Sequence, residues 1–247
     1  YEIYQWIGTT DSYKLIGTTT STKFTNSKKS SGTMYRYKVR AFNNVDGQRI
    51  EGAYSSEFTT CTLPANVSFS LCSTDVDSIT LNWNKVSKAT GYQVEMYTNG
   101  TWKTLSTLSG TSYTASDLSQ NTAYRFRVRA IRNYNYINYY GGYTEKDITI
   151  RPANTPEGLS SSANTSSSNT ITWKSMNGVS GYSVYQWIGT TDSYRKLGDN
   201  AYPYYTNSGK SSGTMYTYRV KAYYVSDNVM QYSKPAQVVT CTLPANV

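Results

Sequence analysis

Three observations predict an all-β chain built from tandem antiparallel sandwiches. First, Thr122-Ala123-Tyr124-Arg125-Phe126-Arg127-Val128-Arg129-Ala130 alternates apolar and basic residues, the period of a strand with one buried and one solvated face. Second, the pattern recurs at Tyr35-Arg36-Tyr37-Lys38-Val39-Arg40-Ala41 and at Tyr216-Thr217-Tyr218-Arg219-Val220-Lys221-Ala222. The leading tyrosines, Tyr35, Tyr124 and Tyr216, stand 89 and 92 residues apart, which indicates tandem domains rather than a solenoid of short repeats. Third, the remaining apolar runs are short and punctuated by turn signals roughly every 8–12 residues, the rhythm of a sandwich.

Composition narrows the function classes. The 247 residues include 26 tyrosines and no histidine. The missing imidazole removes the commonest general base and the commonest metal ligand together. Cysteines at 61, 72 and 241 have no zinc-site spacing. No metal, cofactor or catalytic residue is expected. The net charge of +9 is shared evenly, +3 in each of residues 1–63, 64–152 and 153–247. Nucleic-acid binders concentrate such charge on one face, so no nucleic-acid role is expected, and an even excess suits loose contact with polyanions. No apolar run approaches 18 residues, so no membrane insertion is expected.

The elements follow in order. Residues 1–63 open on the strand Tyr1-Glu2-Ile3-Tyr4-Gln5-Trp6, turn at Gly8–Ser12, and continue through Tyr13–Ile16 and Thr22–Thr25. The tyrosine strand spans 35–42, a polar loop 43–53, and a last strand lies near 57–62 before Pro64. Residues 64–152 start with a strand near 67–72. Ile79, Leu81 and Trp83 then alternate, as do Tyr92, Val94 and Met96. Strands at 102–105 and 112–114, the tyrosine strand and Asp147–Ile150 complete this repeat. Residues 153–247 repeat the plan with Ile171 and Trp173, Tyr182 and Val184, the tyrosine strand and Val238–Thr240; Ser160–Asn169 reads as a Ser/Asn-rich first strand and loop. The first and third repeats are closest: Tyr4–Tyr13 recurs unchanged at 185–194, and Cys61–Val67 at 241–247. The array thus alternates A–B–A. The first repeat carries no counterpart of residues 153–181, and so no first two strands.

These motifs resemble tandem fibronectin type III modules. The matching residues in the middle repeat are Leu81-Asn82-Trp83, Gly91-Tyr92-Gln93-Val94, and Leu118 with Thr122-Ala123-Tyr124 running into Val128-Arg129-Ala130. The resemblance covers essentially the whole chain. It implies tandem immunoglobulin-like β-sandwiches with Greek-key connections, divided as a partial module (1–63, strands C to G), a complete module (64–152) and a complete module with the start of the next linker (153–247). It implies sheets A-B-E and C′-C-F-G, Trp83 and Trp173 in the cores, and Tyr35, Tyr124 and Tyr216 as corner tyrosines whose hydroxyls bond nearby backbone. One departure stands out: Lys29 and Lys210 occupy the position where Leu118 supplies an apolar residue six before the tyrosine. The Tyr/Thr/Ser-rich flavour resembles modules of large secreted or cell-surface bacterial proteins, which implies an extracellular location.

Three features carry functional alternatives. On the outer strand faces, Tyr4 and Trp6 are expected beside Arg36 and Lys38, and Tyr185 and Trp187 beside Arg219; they either grip a glycan or acidic partner or form a cross-strand ladder. The segment 133–143 holds Tyr134, Tyr136, Tyr139, Tyr140 and Tyr143 between strands F and G. It either recognises a partner or packs against the adjoining module. Cys61 and Cys72 flank the first linker and are candidates for a disulfide; the second linker, 150–158, lacks cysteines and is expected to be the more flexible. The expected function is a non-catalytic extracellular stalk, spacer or fibre whose partners are neighbouring modules of the same array. The alternatives are adhesion to a cell-surface glycan or protein, and self-assembly by strand exchange through the first repeat.

Overall fold

Alternation in the sequence becomes strands in the computed structural model, which describes residues 1–8 and 12–245. Thr9, Thr10, Asp11, Asn246 and Val247 lie outside the described residues, and with them part of the expected turn at 8–12 and the end of the 241–247 match. Among the described residues every regular element is a strand. The first repeat holds β1 (Glu2–Trp6), β2 (Tyr13–Thr18), β3 (Met34–Val45), β4 (Gln48–Tyr54) and β5 (Phe58–Cys61). The middle repeat holds β6 (Cys72–Thr74), β7 (Ile79–Asn82), β8 (Gly91–Thr98), β9 (Thr101–Leu108), β10 (Ser112–Ala115), β11 (Ala123–Tyr134), β12 (Ile137–Tyr140) and β13 (Thr144–Thr149). The third holds β14 (Ser160–Ser161), β15 (Ser168–Thr172), β16 (Gly181–Trp187), β17 (Tyr194–Asn200), β18 (Tyr204–Ser208), β19 (Met215–Ser226), β20 (Val229–Tyr232) and β21 (Ala236–Cys241).

The chain divides into two compact units. One comprises Tyr1–Ser68, Asn84–Thr111 and Arg127–Glu145. It contains the sheet β2-β1-β3-β4, with β5 on β3, and most of the sheet β12-β11-β8-β9, with β13 on β11. Here the linker rests on the middle repeat. A Cβ on Gly141 would lie 2.9 Å from the Pro64 carbonyl oxygen and 3.2 Å from that of Ala65, so only glycine admits the linker backbone there, while one on Gly142 would displace the Asn66 side chain. Lys88 Nζ donates to Thr33 Oγ1 at 2.5 Å, and Gly32 N to Leu63 O at 3.0 Å.

The other unit comprises Phe69–Trp83, Ser112–Phe126 and Lys146–Val247. Ile171 of its three-stranded sheet, β14-β15-β18, and Trp173 just after β15 pack with Tyr182, Val184, Tyr218, Val220 and Ala222 to form the third repeat's core. Its larger sheet runs β10-β7-β6-β20-β19-β16-β17, with β21 on β19. That sheet crosses a repeat boundary: β6 of the middle repeat pairs in parallel with β20 of the third, Thr74 opposite Gln231. The second linker is therefore bridged, contrary to the flexibility expected of it. Gln231, 6% exposed, accepts from Thr74 Oγ1 (2.6 Å) and Arg151 N (3.0 Å) and donates to Thr149 O (2.9 Å). Lys221 ion-pairs with Asp75, and Asn228 Nδ2 donates to Ser70 O at 3.0 Å. A cysteine-free linker gave no hint of this, because the joint uses strand edges and an amide.

Three local readings are corrected. The expected loops at 43–53 and 133–143 are hairpins, β3–β4 and β11–β12, with turns at Asp46-Gly47 and Asn135-Tyr136, all four at positive φ. Asp-Gly between alternating residues is a strong hairpin signal, and it outweighs the polar composition. The strand expected at 22–25 is absent. Its counterpart in the third repeat is β18, which exists because β15 pairs with it; the first repeat supplies no such ladder among the described residues. The opening strand of the middle repeat lies at Cys72–Thr74, preceded by a lone Phe69–Trp83 bridge.

The lysines at the corner position are explained by a polar cluster. Lys210 Nζ donates to Gln186 Oε1 at 3.1 Å and sits 5.4 Å from the Tyr216 ring centre. Asn207 Nδ2 donates to the same Gln186 oxygen (2.9 Å) and to the Tyr218 hydroxyl (3.1 Å). Lys29, Gln5, Asn26 and Tyr37 repeat this set in the first repeat. The corner hydroxyls accept from backbone nitrogens five residues earlier: Ser30 for Tyr35, Ser119 for Tyr124 and Ser211 for Tyr216. Asn207→Ala should cost about 1–3 kcal/mol, since it removes two hydrogen bonds, one to Gln186 Oε1 and one to the buried Tyr218 hydroxyl. Urea unfolding monitored by hydrogen exchange in β16 and β19 checks this, and an unchanged midpoint would refute it.

Candidate functional site

The outer faces of β3, β11 and β19 each carry a row of alternating cations. Alternation sends Arg36, Lys38 and Arg40 of β3 outward, and β1 and β2 lie alongside. Arg36 stacks on Trp6, 4.7 Å from its ring centre. Lys38 lies over Tyr13 (4.4 Å), and Arg40 over Tyr4 (5.4 Å) and Tyr54 (5.0 Å). Tyr4 is the backbone partner of Lys38, yet its ring serves Arg40, so these contacts run diagonally, within reach of long side chains.

A carboxylate anchors this face. Glu2, only 3% exposed, accepts from the Tyr4 hydroxyl at 2.7 Å and from Arg40 Nε at 2.5 Å, and also pairs with Arg49. The Tyr4 hydroxyl and the Arg40 guanidinium hold its carboxyl below the usual carboxylate range. The same bond, with burial, pushes Tyr4 up to about 12. Glu2 was not singled out from the sequence, because its strand position looked outward-facing and ordinary.

The middle repeat builds the same device from different residues. Arg127 Nε donates to Glu95 Oε2 at 2.6 Å and its guanidinium lies between Trp102 (4.2 Å) and Tyr143 (3.9 Å). Arg129 lies on Tyr140 (4.0 Å) and Tyr143 (4.5 Å). Burial alone would raise the pKa of Glu95, but hydrogen bonds from Tyr143 and Arg127 outweigh it and lower the net value. In the third repeat Arg219 lies over Tyr194 (3.9 Å) and pairs with Asp192 (3.0 Å). Its expected neighbours divide: Tyr185 is half-buried, while Trp187 is 43% exposed and donates its indole N–H to Thr190 O at 2.7 Å.

The tyrosine segment splits in two. Tyr140 and Tyr143 belong to the cation ladder, and Tyr143 donates to Glu95 Oε1 at 2.8 Å. Tyr134 and Tyr139 are half-buried along the hairpin. Tyr136 stands fully exposed at the tip with φ 63°. Tyr13, Tyr54, Trp102 and Tyr194 were missed by the sequence reading. They lie on neighbouring strands, and only strand order brings them to the arginines.

All three cysteines are free thiols, so the Cys61–Cys72 bridge expected across the first linker is not formed. Cys72 is fully buried, and its thiol faces the carbonyls of Ser70 (3.6 Å) and Asn82 (3.9 Å). Cys61 directs its thiol to Thr62 O at 3.1 Å. Burial raises both thiol pKa values, which makes them poor nucleophiles. Among the described residues no group of acidic residues and cysteines could hold a metal ion.

The ladder makes a pH-dependent contribution to stability. Glu95 has a folded pKa below its unfolded value, so its stabilisation is complete above the ordinary carboxylate range and is lost as pH falls through the lowered value. Glu95→Gln should cost about 1–3 kcal/mol at pH 7, and the gap to the unsubstituted chain should persist through the ordinary carboxylate range and close only on further acidification. Urea titrations from pH 7 to pH 2 check this; a gap independent of pH would contradict it.

Comparison with known proteins agrees with this architecture. A family model described as fibronectin type III domain matches residues 63–137. The chain is 28% identical to Exoglucanase B of Cellulomonas fimi over 251 aligned positions, covering 92% of this chain and 22% of that protein. It is 31% identical to Chitinase A1 of Niallia circulans over 182 positions, covering 69% of this chain and 25% of that protein. The chain thus spans a quarter or less of the length of these curated relatives. Among solved structures, the FN1–FN3 domains of chicken CNTN1 align over 98% of this chain and 91% of that one, at 18% identity and a TM-score of 0.43. Residues 63–137 are a fibronectin type III domain, and the rest of the chain repeats its strand pattern in an all-β fold.

Proposed function

We propose that this chain is a non-catalytic spacer of a longer extracellular protein, in which successive modules are held in a fixed pose. The observation that carries the reading is the continuous sheet across the second boundary, where β6 and β20 pair and Gln231 of the third repeat bonds to Thr74, Thr149 and Arg151 of the middle one. A flexible tether needs no buried amide at its joints; a spacer that sets distance and direction does. The outer faces fit the same role, because their cations are held by rings and carboxylates of the same module. The relatives, an exoglucanase and a chitinase, are several times longer than this chain. A module array inside such proteins would set the separation of their other parts. Each sandwich adds roughly 30–40 Å, about ten strand-residue rises.

A second reading rests on Tyr136. A tyrosine at positive φ is strained, and here it is fully exposed at a hairpin tip where the other two tips carry Asp46-Gly47 and Asp227-Asn228. Such a ring suits contact with a sugar face or a protein.

Two measurements separate the readings. In the spacer reading, amides of Cys72–Thr74 exchange slowly, and Gln231→Ala speeds them by at least about tenfold, the equivalent of ~1.4 kcal/mol. Fast exchange in the unsubstituted chain would sink it. Retention on cellulose, chitin or peptidoglycan that disappears in Tyr136→Ser would instead favour the binding reading.

A further inference from the structure

The rings of the cation ladders are engaged with arginines and lysines of their own module. Two rings on the other sheet of the third repeat are placed differently. Tyr202 and Tyr204, just before and at the start of β18, are 64% and 49% exposed, with planes 24° apart and ring centres 6.2 Å apart. The backbone beneath them is held: Tyr202 N donates to Asn200 Oδ1 at 3.3 Å, Asn200 Nδ2 to Tyr204 O at 2.5 Å, and Trp173 N to Pro203 O at 3.0 Å. Pro203 fixes its own φ and restricts Tyr202 to extended backbone, so this segment has little freedom left to lose when a ligand arrives.

The same ladder is built elsewhere without these rings. In the middle repeat Ser112 pairs with Asn82 just before Trp83, as Tyr204 pairs with Thr172 just before Trp173. Gly110 and Ser112 thus hold the two places there, and in the first repeat the sequence match puts Ser21 and Lys23 at them.

The two rings border a face of hydroxyls. Alternation sends Thr170 and Thr172 of β15 and Thr206 of β18 outward, while Asn169 and Ile171 are buried. Thr172 lies opposite Tyr204, with its hydroxyl 3.2 Å from Ser160 Oγ, and the hydroxyls of Thr170 and Thr206 meet at 2.9 Å. Strands β14, β15 and β18 contain no Asp, Glu, Lys or Arg, in a chain of net charge +9. A polyanion finds no cation on these strands to neutralise it. Serine is depleted where proteins meet, which disfavours a protein partner. A pyranose chain matches both features: its C–H groups stack on the negative faces of aromatic rings, and its hydroxyls exchange hydrogen bonds with serine and threonine. Tyr204 and Thr206 follow one another on one side of β18, a line that an extended chain can track.

We propose that Tyr202, Tyr204 and the hydroxyl face of β15 and β18 bind a neutral, extended, β-linked polysaccharide. Its sugar rings stack on the two tyrosines, and its hydroxyls bond to Thr172, Thr170 and Thr206. This goes beyond the spacer reading, because it gives the third repeat a ligand of its own at a site separate from Tyr136.

The test titrates the 247-residue chain with cellohexaose and with N-acetylchitohexaose, using heparin as the polyanion, and follows amide resonances. At least one neutral hexasaccharide should shift residues 170–172 and 204–206 saturably, and heparin should not. Tyr202→Ser and Tyr204→Ser should each weaken binding at least about threefold, and together abolish it while slow hydrogen exchange in β15 and β16 persists. Thr206→Val, which removes a hydroxyl and keeps both rings, should weaken binding about threefold and decides the matter if the double variant loses its fold. Tyr136→Ser should leave this binding unchanged. The proposal is overturned if neither hexasaccharide gives saturable shifts at these residues, if a folded double variant or Thr206→Val keeps full affinity, or if heparin takes the same face. Loss of binding in Tyr136→Ser would also overturn it, since the ligand would then sit at the hairpin tip.

Discussion

A strand edge carries a row of amides and carbonyls that must find partners, and much of this chain's organisation answers that requirement. At the second boundary the requirement is met between repeats: β20 gives its outer edge to β6, and Gln231 takes up the leftover groups of Thr74, Thr149 and Arg151. At the first boundary the linker lies against Gly141, where a side chain would press on the carbonyls of Pro64 and Ala65. In the first repeat the edge at 23–27 is unmet, and there the chain forms no strand although its sequence matches one that does. Local sequence proposes a strand, and a neighbouring edge makes it.

The outer faces follow from a second requirement, that clustered cations be neutralised without losing the strand pattern. Each repeat solves it with the same chemistry and different residues. Glu2 and Tyr4 serve Arg40 in the first, Glu95, Trp102 and Tyr143 serve Arg127 in the middle, and Tyr194 with Asp192 serves Arg219 in the third. A net charge of +9 therefore does not translate into a row of free cations. Rings already holding guanidinium groups offer less surface to a ligand than their number suggests, whereas Tyr136, fully exposed at its hairpin tip, offers all of it.

Lys29 and Lys210 show how a departure from family pattern is absorbed. Leu118 fills its corner with apolar volume. The lysines instead direct their ammonium groups to Gln5 and Gln186, which also receive Asn26 and Asn207. The lysines fit because the Gln5 and Gln186 side-chain oxygens accept their ammonium groups. The sequence showed the lysines as exceptions but not their partners, which lie 24 residues earlier along the chain.

The sequence by itself determined the fold class, the threefold repeat and which residues face inward, because a two-residue period and a recurring tyrosine strand are local and need no partner to be read. Trp83, Trp173 and the alternating residues of β11 were legible for that reason. Tertiary structure decided which arginine meets which ring, that Gln231 joins two repeats, that Cys61 and Cys72 remain thiols, and that residues 23–27 stay unpaired while β18 forms. Each of these depends on which strand lies beside which, and on how edges pair across long stretches of chain. Alternation fixes the face a side chain occupies, not the neighbour it finds there.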